Sequence, residues 1–206
     1  MAVTVSDTPD ITAREALKRL VDGNRRFLRG QARFPTVQKQ VLVELSREQR
    51  PYATILGCSD SRVPPELLFD ASFGELFVIR VAGNVLSAEV AGSLQYAGVH
   101  LKTPLIVVLG HERCGAVGAA LETHFHGVRH RSRIAILLKN IVPAIKGLDP
   151  GLPPDRLLAQ GVEANVRWTM KQILNTPEGK ARAAEGRMKL VGAIYRIETG
   201  RVRFLP

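Results

Sequence analysis

Four short apolar runs, separated by helical segments, constrain the fold of this sequence more than any other feature. The runs are Ala53–Gly57, Leu76–Val81, Leu105–Leu109 and Leu190–Ile194. Continuous apolar runs of this length are typical of strands buried on both faces of a parallel sheet. Helices between such strands complete βαβ units. We therefore predict an α/β fold with a mostly parallel central sheet of about four strands, flanked by helices.

The two ends of the chain add elements to this sheet. Thr12 and Glu15 fit a capping box at the start of an amphipathic helix that Gly30 can end. A second helical stretch is predicted near Thr36–Leu45. At the other end, Tyr195–Leu205 resembles a hairpin with its turn near Thr199-Gly200, which predicts an antiparallel edge strand.

The long segment before the last strands, Ile134–Thr176, is mostly helical in pattern. It breaks at the turn-rich stretch Leu148–Pro154, and the second helix is expected to stop before Pro177. Neither half of the chain has a strand set of its own. We predict a single domain over residues 1–206.

The net charge of +10 bears on possible partners. A nucleic acid is one interpretation, and an anionic substrate or product is another. The basic residues are scattered, and aromatic residues make up only 5% of the chain, so stacking platforms for bases are scarce. We favour a basic solvated surface and expect no nucleic-acid partner.

Two cysteines, Cys58 and Cys114, are the only ones in the sequence. They are compatible with metal binding or catalysis, with one disulfide, or with two unrelated buried thiols. No run is apolar enough to span a bilayer, and the first residues lack the pattern of a signal peptide. We expect a cytoplasmic protein with no membrane association.

Two polar clusters follow two of the predicted strands directly. Cys58-Ser59-Asp60-Ser61-Arg62 comes after Ala53–Gly57, and Gly110-His111-Glu112-Arg113-Cys114 comes after Leu105–Leu109. Ligand sites of open α/β sheets gather beyond the carboxyl ends of the strands, so both clusters should meet at one edge.

The residue types in these clusters suit zinc. Thiolate and imidazole are good Zn²⁺ ligands, and catalytic sites often use three protein ligands with one exchangeable position. Cys58, His111 and Cys114 are the candidate ligands. Cys114 should begin a helix, where backbone N–H groups favour a thiolate.

Asp60 and Arg62 are the candidates for chemistry beside the metal. Asp60 can be a fourth ligand, or it can accept a hydrogen bond from water while Arg62 holds it by a charge-assisted bond. A surface salt bridge or a turn-stabilising aspartate is the alternative. The adjacency to Cys58 argues for a role at the site.

Cys58–Glu66 (CSDSRVPPE) and Gly110–Val117 (GHERCGAV) resemble the two signature motifs of the β-class carbonic anhydrases. The resemblance extends through Phe73–Asn84 and Tyr96–Lys102 and covers most of the chain. Two departures stand out, since Glu112 replaces a frequent serine and Ala82 replaces a frequent valine.

The resemblance implies reversible hydration of carbon dioxide to bicarbonate and a proton. Zinc would be bound by Cys58, His111 and Cys114, with Asp60 and Arg62 as the catalytic pair. It also implies a homodimer or dimer of dimers, with residues 1–48 as a helical arm that reaches across the neighbouring subunit. The implied substrate-contacting positions are Gln49, Phe77, Tyr96 and Gly115.

Two other functions stay open at this point. Hydrolases of carbon disulfide or carbonyl sulfide resemble this family and keep the same ligands and the same Asp–Arg pair. A zinc-stabilised nucleic-acid-binding protein is the other, although structural zinc usually has four protein ligands. His124, His126 and His130 do not share one helix face, so we interpret them as a solvated loop rather than a second metal site.

Overall fold

A computed structural model describes residues 11–33, 42–43, 45–186 and 188–206. Its centre is a five-stranded sheet in the order β2-β1-β3-β4-β5. The strands are β1 (Ala53–Gly57), β2 (Leu76–Arg80), β3 (Leu105–His111), β4 (Lys189–Tyr195) and β5 (Val202–Phe204). The first four run parallel, and β5 pairs antiparallel with β4. The predicted α/β fold with an antiparallel C-terminal edge is confirmed.

Helices cover the sheet and its ends. They are α1 (Ala13–Leu28), α2 (Pro65–Leu68), α3 (Ala88–Val99), α4 (Gly115–His126), α5 (Ser132–Ile145), α6 (Pro154–Asn175) and α7 (Pro177–Ala184), with a short 3₁₀ turn at Ala82–Asn84. None of the described helices is long and apolar enough to cross a membrane.

The central strands are buried because their residues are apolar throughout. Every residue of β1 and of β3 is buried, which is the expectation for strands covered on both faces. Two apolar clusters result, one on each face of the sheet: one lies under α4, α5 and α6, and the other lies under α1 and α2.

One strand differs from its prediction. The run Leu76–Val81 was expected to be a buried strand, but β2 ends at Arg80 and is half-buried along most of its length. The physical reason is its position at the edge of the sheet, where β1 is its only neighbour among the described strands.

The N-terminal helix is held by the features that predicted it. The Thr12 hydroxyl accepts from the Glu15 backbone N–H, and the Glu15 carboxylate accepts from the Thr12 backbone N–H, which completes the capping box. Ala16 and Leu20 are fully buried against the body of the protein. Of the predicted helix near Thr36–Leu45, only Leu42, Val43 and Leu45 lie within the described residues, and they are helical.

The segment before β4 contains one helix more than predicted. The break at Leu148–Pro154 separates α5 from α6 as expected. After α6 a single extended residue, Thr176, separates it from α7, and the Thr176 hydroxyl caps α7 by accepting from the Gly179 backbone N–H. Pro177 then occupies the first helical position, where its missing N–H costs nothing.

Candidate metal centre

The sheet brings the two polar clusters together at the carboxyl ends of neighbouring strands. β1 and β3 pair parallel, with Gly57 opposite Leu109. Cys58 follows β1 directly, His111 is the last residue of β3, and Cys114 caps the N-terminus of α4. Parallel pairing therefore places all three side chains at one edge of the sheet.

Cys58, His111 and Cys114 form a buried cluster. Their ligand atoms, two sulfurs and one ring nitrogen, all lie within 4.8 Å of one another. The three residues are at most 4% exposed. Both cysteines are free thiols, so the disulfide alternative does not apply in this structure. In the described part of the chain, no other group of His, Cys, Asp or Glu side chains has this arrangement.

The ring of His111 is oriented for a metal by its other nitrogen. Nδ1 lies 2.9 Å from the carbonyl oxygen of Glu112, and because a carbonyl only accepts, Nδ1 carries the proton. Nε2 then presents a lone pair to the cluster. It is buried and has no hydrogen-bond partner among the described residues. An unpaired buried nitrogen beside two sulfurs fits a Zn²⁺ ligand set.

The protonation of the two thiols also points to a cation. The hydrogen bond with Cys114 lowers the pKa of Cys58 below its ordinary value. The same bond, together with burial, raises the pKa of Cys114 above its ordinary value. The expected effect of the α4 N-terminus on Cys114 is therefore outweighed in the protein alone. A positive ion bound between the sulfurs would lower the pKa of Cys114 and allow both groups to be thiolates.

Asp60 and Arg62 form a two-point ion pair beside the cluster. Arg62 donates from Nε to Asp60 Oδ1 at 2.9 Å and from Nη2 to Oδ2 at 2.8 Å. Asp60 Oδ2 lies 3.8 Å from His111 Nε2. The Arg62 guanidinium holds the pKa of the Asp60 carboxyl well below its usual range. The carboxylate is thus ionised and points one edge towards the ligand atoms.

The other predicted contact residues lie at the surface or beside it. Phe77 on β2 packs against Tyr96 on α3, with ring centroids 6.1 Å apart. Tyr96 is 46% exposed. Gly115 is the first residue of α4, next to Cys114, and Gln49 is exposed in the segment before β1.

Three further residues hold the site and were missed by sequence reasoning. Arg80 donates to the carbonyl oxygens of Cys58 at 2.9 Å and of Asp60 at 2.6 Å. Gly83 donates its N–H to Cys58 Sγ at 3.3 Å, and Asn165 donates to the Gly83 carbonyl at 2.7 Å. A charged residue at the end of an apolar strand could have indicated Arg80. No sequence pattern could have indicated Asn165, because it lies in a helix 82 residues after its partner Gly83.

The structure also places Glu112 and the three histidines that follow the second motif. Glu112, the replacement in the second motif, turns towards the β4–β5 hairpin, with its Oε1 3.5 Å from Arg196 Nε. His124 and His126 lie exposed in the last turn of α4, not in a loop as expected, and His130 follows in the loop after α4.

Comparison with known proteins agrees with this site. The family model described as "Carbonic anhydrase" matches residues 53–202. A carbonic anhydrase of Mycolicibacterium smegmatis is 40% identical over 189 residues, which is 91% of this chain and 90% of that protein. Carbonic anhydrase 2 of Mycobacterium tuberculosis is 36% identical over 195 residues, 94% of this chain and 93% of that protein.

Solved structures agree as well. The β-carbonic anhydrase CcaA superimposes with a TM-score of 0.74 at 28% identity, covering 91% of this chain and 86% of that one.

Proposed function

The chain belongs to the β-class carbonic anhydrase family, and from that premise we propose how its residues divide the work of reversible carbon dioxide hydration. Cys58, His111 and Cys114 would hold the zinc ion. Asp60 and Arg62 would be the catalytic pair. The observation that carries the proposal is the ionised Asp60 carboxylate, fixed by Arg62 at 3.8 Å from the unpaired Nε2 of His111.

When bound, Zn²⁺ would supply the Lewis acidity that makes water a nucleophile near neutral pH. Two thiolates and Zn²⁺ are together neutral, so positive neighbours help to stabilise negative charge that develops there. Arg62 and Arg80 are two cations beside this edge of the sheet. Both are already engaged through Asp60 or its backbone, which fixes their positions before any substrate arrives.

Asp60 is suited to orient a water molecule rather than to act as the base that takes a proton from it. Both carboxylate oxygens accept hydrogen bonds from Arg62, and its pKa lies well below the usual range. A base works best when its pKa is near the working pH, so Asp60 would hold a proton only briefly. Asp60 would therefore align a water by accepting a hydrogen bond from it, and the released proton would pass on to solvent or buffer.

The same pairing bears on whether Asp60 is a fourth zinc ligand. A carboxylate whose two oxygens are bound by Arg62 is not free to turn towards the metal. This supports the form in which Arg62 holds Asp60 away and leaves one coordination position open. The predicted apolar contacts for carbon dioxide are Phe77 and Tyr96, with the Gly115 backbone and Gln49 as polar contacts.

A direct assay tests the proposal. The zinc-loaded protein should hydrate carbon dioxide in stopped flow, and Asp60→Asn should lower kcat by at least about 100-fold while zinc content stays the same. An Asp60→Asn protein with the wild-type rate would remove Asp60 from the reaction. Parallel assays on carbonyl sulfide and carbon disulfide distinguish carbon dioxide hydration from the hydrolase alternative. That alternative requires faster turnover of these sulfur compounds than of carbon dioxide.

We further infer that the protein is a homodimer or a dimer of dimers formed by a single-domain chain with residues 1–48 as its arm. β2 is a half-buried edge strand, and large apolar side chains beside it are exposed, including Phe73 at 62% just before the strand and Tyr96 at 46%, which packs against Phe77 of β2. Such an edge favours pairing with another chain. Light scattering of the purified protein tests this, since a monomer at micromolar concentration would contradict it.

A cytoplasmic location is also part of the proposal. Cys58 and Cys114 are free thiols close enough to react with each other, and a reducing compartment keeps them available for zinc. Fractionation of the cells that produce the protein would test the location directly.

A further inference from the structure

The 3₁₀ turn at Ala82–Asn84 connects the zinc ligand Cys58 to the long helix α6. Gly83 donates its backbone N–H to Cys58 Sγ at 3.3 Å. The carbonyl of the same residue accepts from Asn165 Nδ2 at 2.7 Å. Asn165 thus holds one side of Gly83 while the other side meets the sulfur.

The N–H to sulfur bond depends on an unusual backbone conformation. Gly83 has a φ of 67°, in the left-handed region that favours glycine. A Cβ atom there would lie 2.8 Å from Ile141 Cδ1 and 3.2 Å from Ala116 Cβ. The neighbouring helices α4 and α5 therefore restrict the turn from one side, and the bond from Asn165 fixes it from α6.

The burial of Asn165 is costly if its role is only to support the fold. Asn165 is fully buried, and its Oδ1 has no hydrogen-bond partner among the described residues. The donor assignment is secure on chemical grounds, because the Gly83 carbonyl can only accept. A buried amide with one group unpaired destabilises the fold relative to a fully hydrogen-bonded one. An apolar side chain would avoid that cost in the interior of α6.

We propose that Asn165 is a positioning residue for the zinc site, which holds Gly83 so that its N–H is directed at the sulfur of Cys58. A hydrogen bond to a thiolate withdraws electron density from the sulfur and sets how strongly it donates to a metal. Asn165 therefore acts on the metal without touching it. The inference rests on the assignment of Cys58 as a zinc ligand in the proposed function.

The test uses cobalt in place of zinc, because thiolate-to-cobalt charge transfer reports on sulfur electron density. Asn165→Leu removes the donor, and Thr169→Val is the matched control. Thr169 lies one turn further along α6, is also fully buried, and has an unpaired hydroxyl. Without the hydrogen bond the sulfur is more electron-rich, so Asn165→Leu should shift the charge-transfer band to longer wavelength. The thiolate also loses the N–H that stabilises and orients it, so zinc binding should weaken about 10-fold in chelator competition. Thr169→Val should change neither.

A second variant and a second measurement keep the outcome decisive. Asn165→Ala also lacks the donor and adds neither bulk nor charge beside Gly83, so it serves if the leucine variant does not fold. In the wild-type protein loaded with an NMR-active cadmium isotope, the Gly83 amide proton should show scalar coupling to the metal through the sulfur. The coupling should vanish in the Asn165 variant.

Three results would overturn the proposal. They are a folded Asn165 variant with the wild-type band and zinc affinity, a wild-type Gly83 amide without coupling to bound cadmium, and failure of both Asn165 variants to fold when Thr169→Val folds. The last would assign Asn165 to folding. A wild-type protein that binds cobalt with no charge-transfer band at all would instead contradict the zinc site itself.

Discussion

The guanidinium of Arg62 binds both carboxylate oxygens of Asp60, although only one residue separates the two in the chain. The Arg62 backbone N–H adds a third bond to Asp60 Oδ1 at 3.0 Å. The Asp60 side chain is 19% exposed and the Arg62 side chain 49% exposed, so water screens the pair only in part. Its geometry matters more than its contribution to stability, because it fixes a carboxylate beside the metal ligands.

Replacing Arg62 by lysine should lower the rate of carbon dioxide hydration. Lysine keeps the positive charge but loses the planar two-point contact, so the Asp60 carboxylate is no longer held in one orientation. We expect kcat to fall roughly 10- to 100-fold with zinc content unchanged. Stopped-flow assay with metal analysis checks this.

The matched control is Arg113→Lys. Arg113 lies beside the ligand Cys114 but pairs with Glu198 at the surface, where its side chain is 70% exposed. Its replacement should leave the rate near wild type. Equal rates for the two lysine variants would show that the two-point contact is irrelevant to the reaction.

Asp70 should carry part of the acid sensitivity of the fold. Burial would raise its pKa, but hydrogen bonds from Arg26 and from the Arg33 backbone outweigh burial, and the pKa lies below its ordinary value of 3.8. A group with a lowered folded pKa stabilises the protein above its unfolded pKa and loses this contribution as pH falls through the folded pKa. The wild-type protein should therefore lose stability below pH about 4.

The variant Asp70→Asn should separate this contribution from others. We expect it to lower the free energy of unfolding by about 2 kcal/mol at pH 7, the scale of hydrogen bonds to a charged group. The difference from wild type should shrink in acid. Asp22→Asn, which removes an exposed carboxylate paired with Lys18 and Arg25, should lower the free energy of unfolding much less, because water screens this pair. Urea unfolding at several pH values measures both, and a difference for Asp70→Asn that is independent of pH would be inconsistent with the account.

A pair of glycine substitutions tests the close packing around the metal site. Gly83 and Gly127 both have a positive φ, of 67° and 68°. A Cβ at Gly127 would meet nothing within 4 Å, whereas one at Gly83 would meet Ile141 and Ala116. Gly127→Ala should cost about 1 kcal/mol from backbone conformation alone, and Gly83→Ala should cost roughly 1–3 kcal/mol more from overpacking.

Gly83→Ala should also weaken zinc binding, because the shifted turn misdirects the N–H that Cys58 accepts. Thermal unfolding and chelator competition give the two quantities separately. The account fails at this point if both alanine variants are equally stable and bind zinc equally well.

The sequence predicted most of the sheet because apolar runs report burial directly. Ala53–Gly57 was placed with both boundaries correct, since a polar cluster ends the run at Cys58. The predicted strand Leu105–Leu109 ended two residues before the observed end of β3 at His111, because Gly110 and His111 are unusual in a buried strand. In the structure they still pair with Ile194 and Tyr195 of β4.

Other features required three-dimensional information. The edge position of β2 depends on the strand order, which hydrophobicity does not encode. The zinc ligands were accessible from the sequence because each follows a predicted strand. Arg80 and Asn165 donate to backbone carbonyls of distant residues, and Gly83 donates its own backbone N–H to the sulfur of Cys58. Such contacts leave no spacing pattern to detect.

The most direct test of the central claim is stopped-flow hydration of carbon dioxide by the zinc-loaded protein and by His111→Ala. His111 contributes the single nitrogen ligand of the cluster. Its Nε2 has no hydrogen-bond partner among the described residues. We predict fast hydration by the wild-type protein with one zinc ion per chain, and loss of both zinc and activity in the variant. A zinc-dependent rate that survives His111→Ala, or a zinc-loaded wild-type protein no faster than buffer, would contradict it.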